Sequence, residues 1–299
     1  MNDTILKTIN LCKNYGNNSI LTNVNLNIKK GEIYGLIGKN GAGKTTLIRL
    51  LLSFAFPTSG EIKFYTKDDI KIGALVEAPS FFSYLSASEN LEYYRLLNGF
   101  KDPKSVNKIL ELVGLQDVGK KKFKDFSLGM KQRLGIALAM LGNPEILILD
   151  EPINGLDPTG IKEIRDILLK INKEKGVTIL ISSHILSELS QLATFYGFIH
   201  KGRFIEEISA IDLKNKCKNC ISLEVDNPEK AINILNTKLN IKEMSTTNKN
   251  TLNVYEYLDK SNIVNKTLIE NGIELFSSST TGNTLEGYFL NLIGGNAND

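Results

Sequence analysis

The 299-residue chain is 42% hydrophobic and 23% charged, ordinary for a globular protein, and its length predicts one large domain with a smaller one. A formal net charge of +3 with no long basic stripe gives no ground for nucleic-acid binding, and no nucleic-acid partner is expected. Three cysteines, Cys12, Cys217 and Cys220, are too few for a disulfide framework. No apolar run reaches the roughly 18 residues needed to cross a bilayer, and Met1-Asn2-Asp3-Thr4 lacks a charged-then-apolar signal, so a cytoplasmic, reducing location is expected.

In chain order, residues 20–28 alternate loosely, and residues 31–38 read as a buried strand running into a glycine-rich turn. A helix is predicted from Lys44, with Leu47, Leu50 and Leu51 on one face. Over residues 86–141 the spacing becomes helical, and Met130, Leu134, Ala137, Leu138 and Leu141 share a face behind a Ser127 cap. Residues 145–150 and 177–182 are short, continuously apolar strands of the kind that suits a sheet covered on both sides. The reading is an α/β domain over residues 1–215 with a helical insertion.

After about Lys214 the texture turns Asn- and Lys-rich. Strands are predicted at 221–225, 241–245, 251–255 and 273–277, with helices at 228–239 and 261–270. That β-α-β-β-α-β order predicts a small α+β, ferredoxin-like domain over residues 216–299. A last amphipathic stretch carries Leu285, Tyr288, Phe289 and Leu292 and ends at Gly294-Gly295.

The chemistry begins at Gly38-Lys39-Asn40-Gly41-Ala42-Gly43-Lys44-Thr45, which matches the phosphate-binding loop G-x-x-x-x-G-K-[ST] between a predicted strand and a predicted helix. Glycines let backbone N–H groups turn toward phosphate oxygens, and the following helix N-terminus favours negative charge. Lys44 is placed to reach the β- and γ-phosphates of ATP and Thr45 to ligate Mg²⁺, with Thr46 completing the loop. The strand over 146–149 delivers Asp150 and Glu151 at its carboxyl end, where an open parallel sheet places ligands. Adjacent carboxylates can divide labour: Asp150 holds the hydrated metal while Glu151 orients or deprotonates the attacking water.

These two motifs establish a P-loop nucleotidase without saying which. Phe126-Ser127-Leu128-Gly129-Met130, followed by Lys131-Gln132-Arg133, resembles the L-S-G-G-Q signature of ABC ATPases, with Leu128 in place of a glycine and Met130 in place of a glutamine. Tyr15, Gly155-Leu156-Asp157 and His184 follow the same family order. Over residues 4–215 the chain is therefore similar to ABC transporter ATP-binding subunits. The resemblance implies a core sheet with flanking helices, an antiparallel β part and a helical signature subdomain. It implies adenine stacking on Tyr15, contact of Ser127, Gly129 and Asp157 with nucleotide in an ATP-sandwich dimer of two copies, and a γ-phosphate contact from His184. Its implied partners are separate membrane permease subunits, which would hold the chain at the inner face of the membrane.

One position departs from most of that family. Leu75-Val76-Glu77-Ala78-Pro79 puts Glu77 where a glutamine usually contacts Mg²⁺ and water, and a carboxylate there should bind metal more tightly. Glu77 and the closing stretch 284–295 resemble the bacitracin and lantibiotic resistance transporters, which implies expulsion of a membrane-active peptide. The resemblance leaves other readings open: the motor of a different exporter or importer, an ABC ATPase acting on ribosomes or DNA, or a C-terminal ligand-sensing module driven by ATP. One cassette and no long coiled coil argue against the ribosome and DNA readings. Lys120-Lys121-Lys122 and Lys124 read as a solvated face, Cys217-Lys218-Asn219-Cys220 has no second ligand pair to complete a metal knuckle, and His200 receives no role.

Overall fold

The computed structural model describes residues 3–65, 70–76, 80–248, 250–282 and 285–294. Two compact units divide the chain, Met1–Ala210 and Ile211–Gly294. In the first, β1 (Thr4–Tyr15), β2 (Asn18–Val24) and β3 (Asn27–Lys29) form an antiparallel layer. The next strand, β4 (Ile33–Ile37), is buried at every position, as its unbroken apolar run predicts, and passes into the glycine loop and α1 (Lys44–Leu51). Helix α1 buries Leu47, Leu50 and Leu51, while β5 (Ser59–Phe64) returns to pair with β1.

The helical insertion follows β6 (Ile72–Leu75). It comprises α2 (Ala87–Leu97), α3 (Ser105–Leu112) and α4 (Leu128–Met140). A reciprocal capping box starts α2: the Ser86 hydroxyl accepts the Glu89 N–H while the Glu89 carboxylate accepts the Ser86 N–H. Ser127 caps α4 by accepting the Met130 N–H at 3.3 Å. The buried surface of α4 is wider than the predicted stripe. Gly135, Ile136, Ala139 and Met140 are buried as well, whereas Met130 and Leu138 are only half-buried. The cause is packing on several sides, because α4 meets β6, α2, α3 and α5 (Pro158–Lys175).

Strands β7 (Ile146–Asp150), β8 (Thr178–Ser183), β9 (Phe195–His200) and β10 (Arg203–Ser209) complete a six-stranded sheet in the order β10-β9-β4-β8-β7-β6, with the short α6 (Leu186–Leu189) after β8. Only the β9/β10 pair is antiparallel. Parallel pairing of β4, β8 and β7 brings three strand ends side by side, and the phosphate loop, the acid pair and His184 lie at those ends. Among the described residues no helix is long and apolar enough to cross a membrane.

Helix α7 (Ala210–Lys216) leads to β11 (Cys220–Val225), α8 (Pro228–Leu239), β12 (Met244–Asn248), β13 (Thr251–Val254), α9 (Ser261–Glu270), β14 (Leu275–Thr281) and α10 (Leu285–Gly294). The sheet order is β12-β13-β11-β14, all neighbours antiparallel. Ile221, Leu223 and Val225 alternate into a core with Ala231, Leu235, Val264 and Leu268 from the two helices. Both helices fall where the spacing predicts, but two strands begin later. Asn240 ends α8 in the left-handed region and the Ile241 N–H bonds back to Leu235 O, so β12 starts at Met244 rather than 241. In the same way the Ile273 N–H bonds to Leu268 O, which delays β14 to Leu275. Leu235 is fully buried in this small core. Leu235→Ala is predicted to cost about 2–5 kcal/mol and to speed amide exchange in β11, with the amides of β7 and β8 unchanged in the same hydrogen-exchange experiment.

Candidate active site

The loop after β4 turns through two glycines with distinct constraints. A Cβ on Gly38 would stand 2.6 Å from the Ile199 carbonyl oxygen, so no side chain fits. Gly43, the N-cap of α1, has φ 109, a conformation that only glycine adopts readily. Lys39, Asn40 and Gly41 are exposed at the tip, Ala42 and Lys44 are buried, and Thr45 and Thr46 are half-buried at the helix start. The Gly38 N–H donates to Ser183 O at 3.3 Å, which ties the loop to the end of β8.

Lys44 folds back over its own loop. Its ammonium donates to Gly38 O at 2.6 Å and Lys39 O at 3.4 Å, and pairs with Glu151 Oε1 at 3.1 Å, with only 6% of the side chain exposed. Thr45 Oγ1 donates to Asp150 Oδ2 at 2.8 Å. Ser182, opposite Asp150 in the parallel register, donates to Asp150 Oδ1 at 2.6 Å and accepts the Glu151 N–H at 2.9 Å. Glu151 itself has φ 50, outside the strand conformation, which turns its carboxylate toward Lys44 and His184. His184 Nδ1 lies 2.6 Å from Glu151 Oε2. An ionised carboxylate only accepts hydrogen bonds, so Nδ1 carries the proton in this contact.

The predicted residues thus form one cluster of Gly38, Lys44, Thr45, Asp150, Glu151 and His184, with other members elsewhere. Tyr15 ends β1 half-exposed, and the Lys13 ammonium sits 4.6 Å from its ring centroid. Ser127 and Gly129 open α4, and Leu128 lies against the 155–156 turn, its Cδ2 3.4 Å from where a Gly155 Cβ would stand. Asp157 caps α5 by accepting the Gly160 N–H at 3.0 Å, with Pro158 beginning the helix. Glu77 lies outside the described residues.

Three residues near the cluster receive no role from the sequence, although Ser182 stands in the Ser182-Ser183-His184 run that carries the switch histidine. Ser182 joins the two acids. Glu188, on α6, has its carboxyl pushed above the ordinary range by burial, opposed by His184 and reinforced by the charge of Glu151. His200 ends β9, and its pKa is lowered by burial and then by Lys201 and Lys39. Among the described residues, no group of three or more His, Cys, Asp or Glu side chains could hold a metal ion by itself. A hydroxyl and a carboxylate oxygen 2.8 Å apart at the loop are instead the sparse, all-oxygen donor set that suits a cation shared with phosphate.

The family model for ABC transporter matches residues 21–154. The chain is 43% identical over 300 residues to the bacitracin transport ATP-binding protein BcrA of Bacillus licheniformis, covering 98% of each. It belongs to the ABC transporter ATP-binding proteins. The lantibiotic transport ATP-binding protein SrtF of Streptococcus pyogenes is 48% identical over 208 residues, covering 68% of this chain and 90% of SrtF. A solved ATP-binding cassette, MJ0796, described as a dimer in a post-hydrolysis state with ADP and Pi, has a TM-score of 0.60 at 27% identity, covering 69% of this chain and 99% of that one. This ABC subunit binds ATP and is an ATPase, and ABC subunits of this kind dimerise and act with membrane permeases. Lys44→Ala removes the one buried ammonium of the cluster and is predicted to weaken ATP binding about 10- to 100-fold, in line with charged hydrogen bonds of ~1.5–3 kcal/mol. Equilibrium titration with a fluorescent ATP analogue checks it.

Proposed function

We propose that this ABC subunit powers the expulsion of a bacitracin- or lantibiotic-type peptide through permease subunits that hold it at the inner face of the membrane. The observation that carries this reading is the extent of the match to the bacitracin transport protein. It runs through the C-terminal unit as well as the cassette, over 98% of both chains. We read that unit, from about residue 211, as a ferredoxin-like accessory domain on the strength of its β-α-β-β-α-β order.

In the proposed mechanism the N–H groups of residues 38–45 and the start of α1 receive the phosphates, and Lys44 balances their charge. Thr45 and Asp150, with Glu77 by resemblance, would hold Mg²⁺, which when bound offsets charge on the β- and γ-oxygens. Glu151 accepts a proton from, or aligns, the attacking water, and His184 fixes the rotamer of Glu151 through the Nδ1 contact at 2.6 Å. Tyr15 offers a face for adenine. Ser127, Gly129 and Asp157 would close on the nucleotide of a second copy, so that dimer closing and reopening rocks the permeases.

Expression with its permease in a susceptible host tests the reading. The wild-type chain should raise the bacitracin or lantibiotic concentration needed to stop growth. Glu151→Gln should abolish that gain and lower ATP turnover about 100-fold or more, as loss of a general base does. Unchanged susceptibility to both peptide classes with the wild-type transporter would sink the substrate assignment.

A further inference from the structure

One hydroxyl touches both acids of the cluster. Ser182 is fully buried, and the β7/β8 register sets it directly across from Asp150. Its two hydrogen bonds have a forced direction. The Glu151 N–H can only donate and the Asp150 carboxylate can only accept, so the hydroxyl takes the first and gives its proton to the second. The other Asp150 oxygen takes the Thr45 hydroxyl, so two side chains from different segments fix the carboxylate plane. Glu151, at φ 50, holds a left-handed backbone conformation that is unfavourable for a non-glycine residue, and the bond from its N–H to Ser182 helps retain it.

We propose that Ser182 is a positioning residue for ATP hydrolysis: its hydroxyl locks the Asp150 carboxylate to the left-handed backbone of Glu151, so that the two acids are oriented as one unit. The proposal rests on the roles given to Asp150 and Glu151 above. Nothing in the phosphate loop, the acid pair or His184 requires a hydroxyl at this position. A purely structural serine would merely satisfy its own hydrogen bonds at a strand end, and losing it would lower stability without altering the acids.

The purified full chain separates these cases through Ser182→Ala, which removes the hydroxyl, Ser182→Thr, which keeps it, and Glu151→Gln as a control on the site. Ser182→Ala is expected to lower kcat about 10- to 100-fold, the usual effect of losing a group that orients a ligand side chain. KM for ATP should move by less than about 3-fold, since the phosphate loop is untouched. In protein without nucleotide, amide exchange of the peptide containing Glu151 should speed up about 10-fold or more, as its N–H loses its acceptor. Ser182→Thr should restore most of both. If Ser182→Ala does not fold, Ser182→Cys, similar in volume but a weak donor, takes its place with the same expected losses. Wild-type kcat and unchanged exchange at Glu151 in a folded Ser182→Ala or Ser182→Cys protein would overturn the proposal, as would a folded Ser182→Thr protein as impaired as Ser182→Ala. Full turnover in Glu151→Gln would instead show that the site reading beneath it is wrong.

Discussion

A lysine ammonium almost cut off from water needs acceptors on every side, and Lys44 draws its own from two distant parts of the chain. Gly38 O and Lys39 O come from the loop that carries it, and Glu151 from the end of β7. An unpaired charge at such a place is costly, so the loop closure, the unusual backbone of Glu151 and the neighbouring imidazole form a mutually dependent set. The sheet supplies the meeting point. With β8 between β4 and β7, the loop, the acid pair and Ser182-Ser183-His184 all lie at the carboxyl ends of neighbouring parallel strands.

That arrangement explains which parts of the site were legible in the sequence. The glycine loop is written in residue types because Gly38 and Gly43 answer steric demands that no other residue meets. Continuous apolar runs marked β4, β7 and β8 because both faces of that sheet are covered. Ser182 lies in the run that ends at His184, but nothing in that run singles out its hydroxyl. A serine near the end of an apolar strand is common, and its contact with the acids exists only through a parallel register that sequence spacing does not encode. Glu188 was silent for the same reason, since its surroundings come from His184 and Glu151, and Glu151 belongs to another strand end.

The fold diverged from the sequence reading where packing on several sides or local hydrogen bonds outweighed periodicity. Helix α4 is buried beyond its apolar stripe because several elements pack on it, and Gly73 of β6 lets that strand come against the backbone at Ala139. In the C-terminal unit, the turns that close α8 and α9 consume the residues that alternation had given to β12 and β14. The first is an effect of packing on burial and the second an effect of local backbone bonds on element boundaries, and the order of elements remains as the hydrophobic pattern has it.

In the proposed mechanism phosphate is received between the loop of Lys44 and the acids at the end of β7. Crystals of the Glu151→Gln chain grown with ATP and Mn²⁺ check this through the anomalous signal of the metal. The expected result is a metal peak coordinated by Thr45 Oγ1 and phosphate oxygens, with Asp150 in its immediate surroundings and the γ-phosphate against Lys44 Nζ. A metal peak away from Thr45 and Asp150, or a triphosphate bound outside residues 38–45, would contradict it.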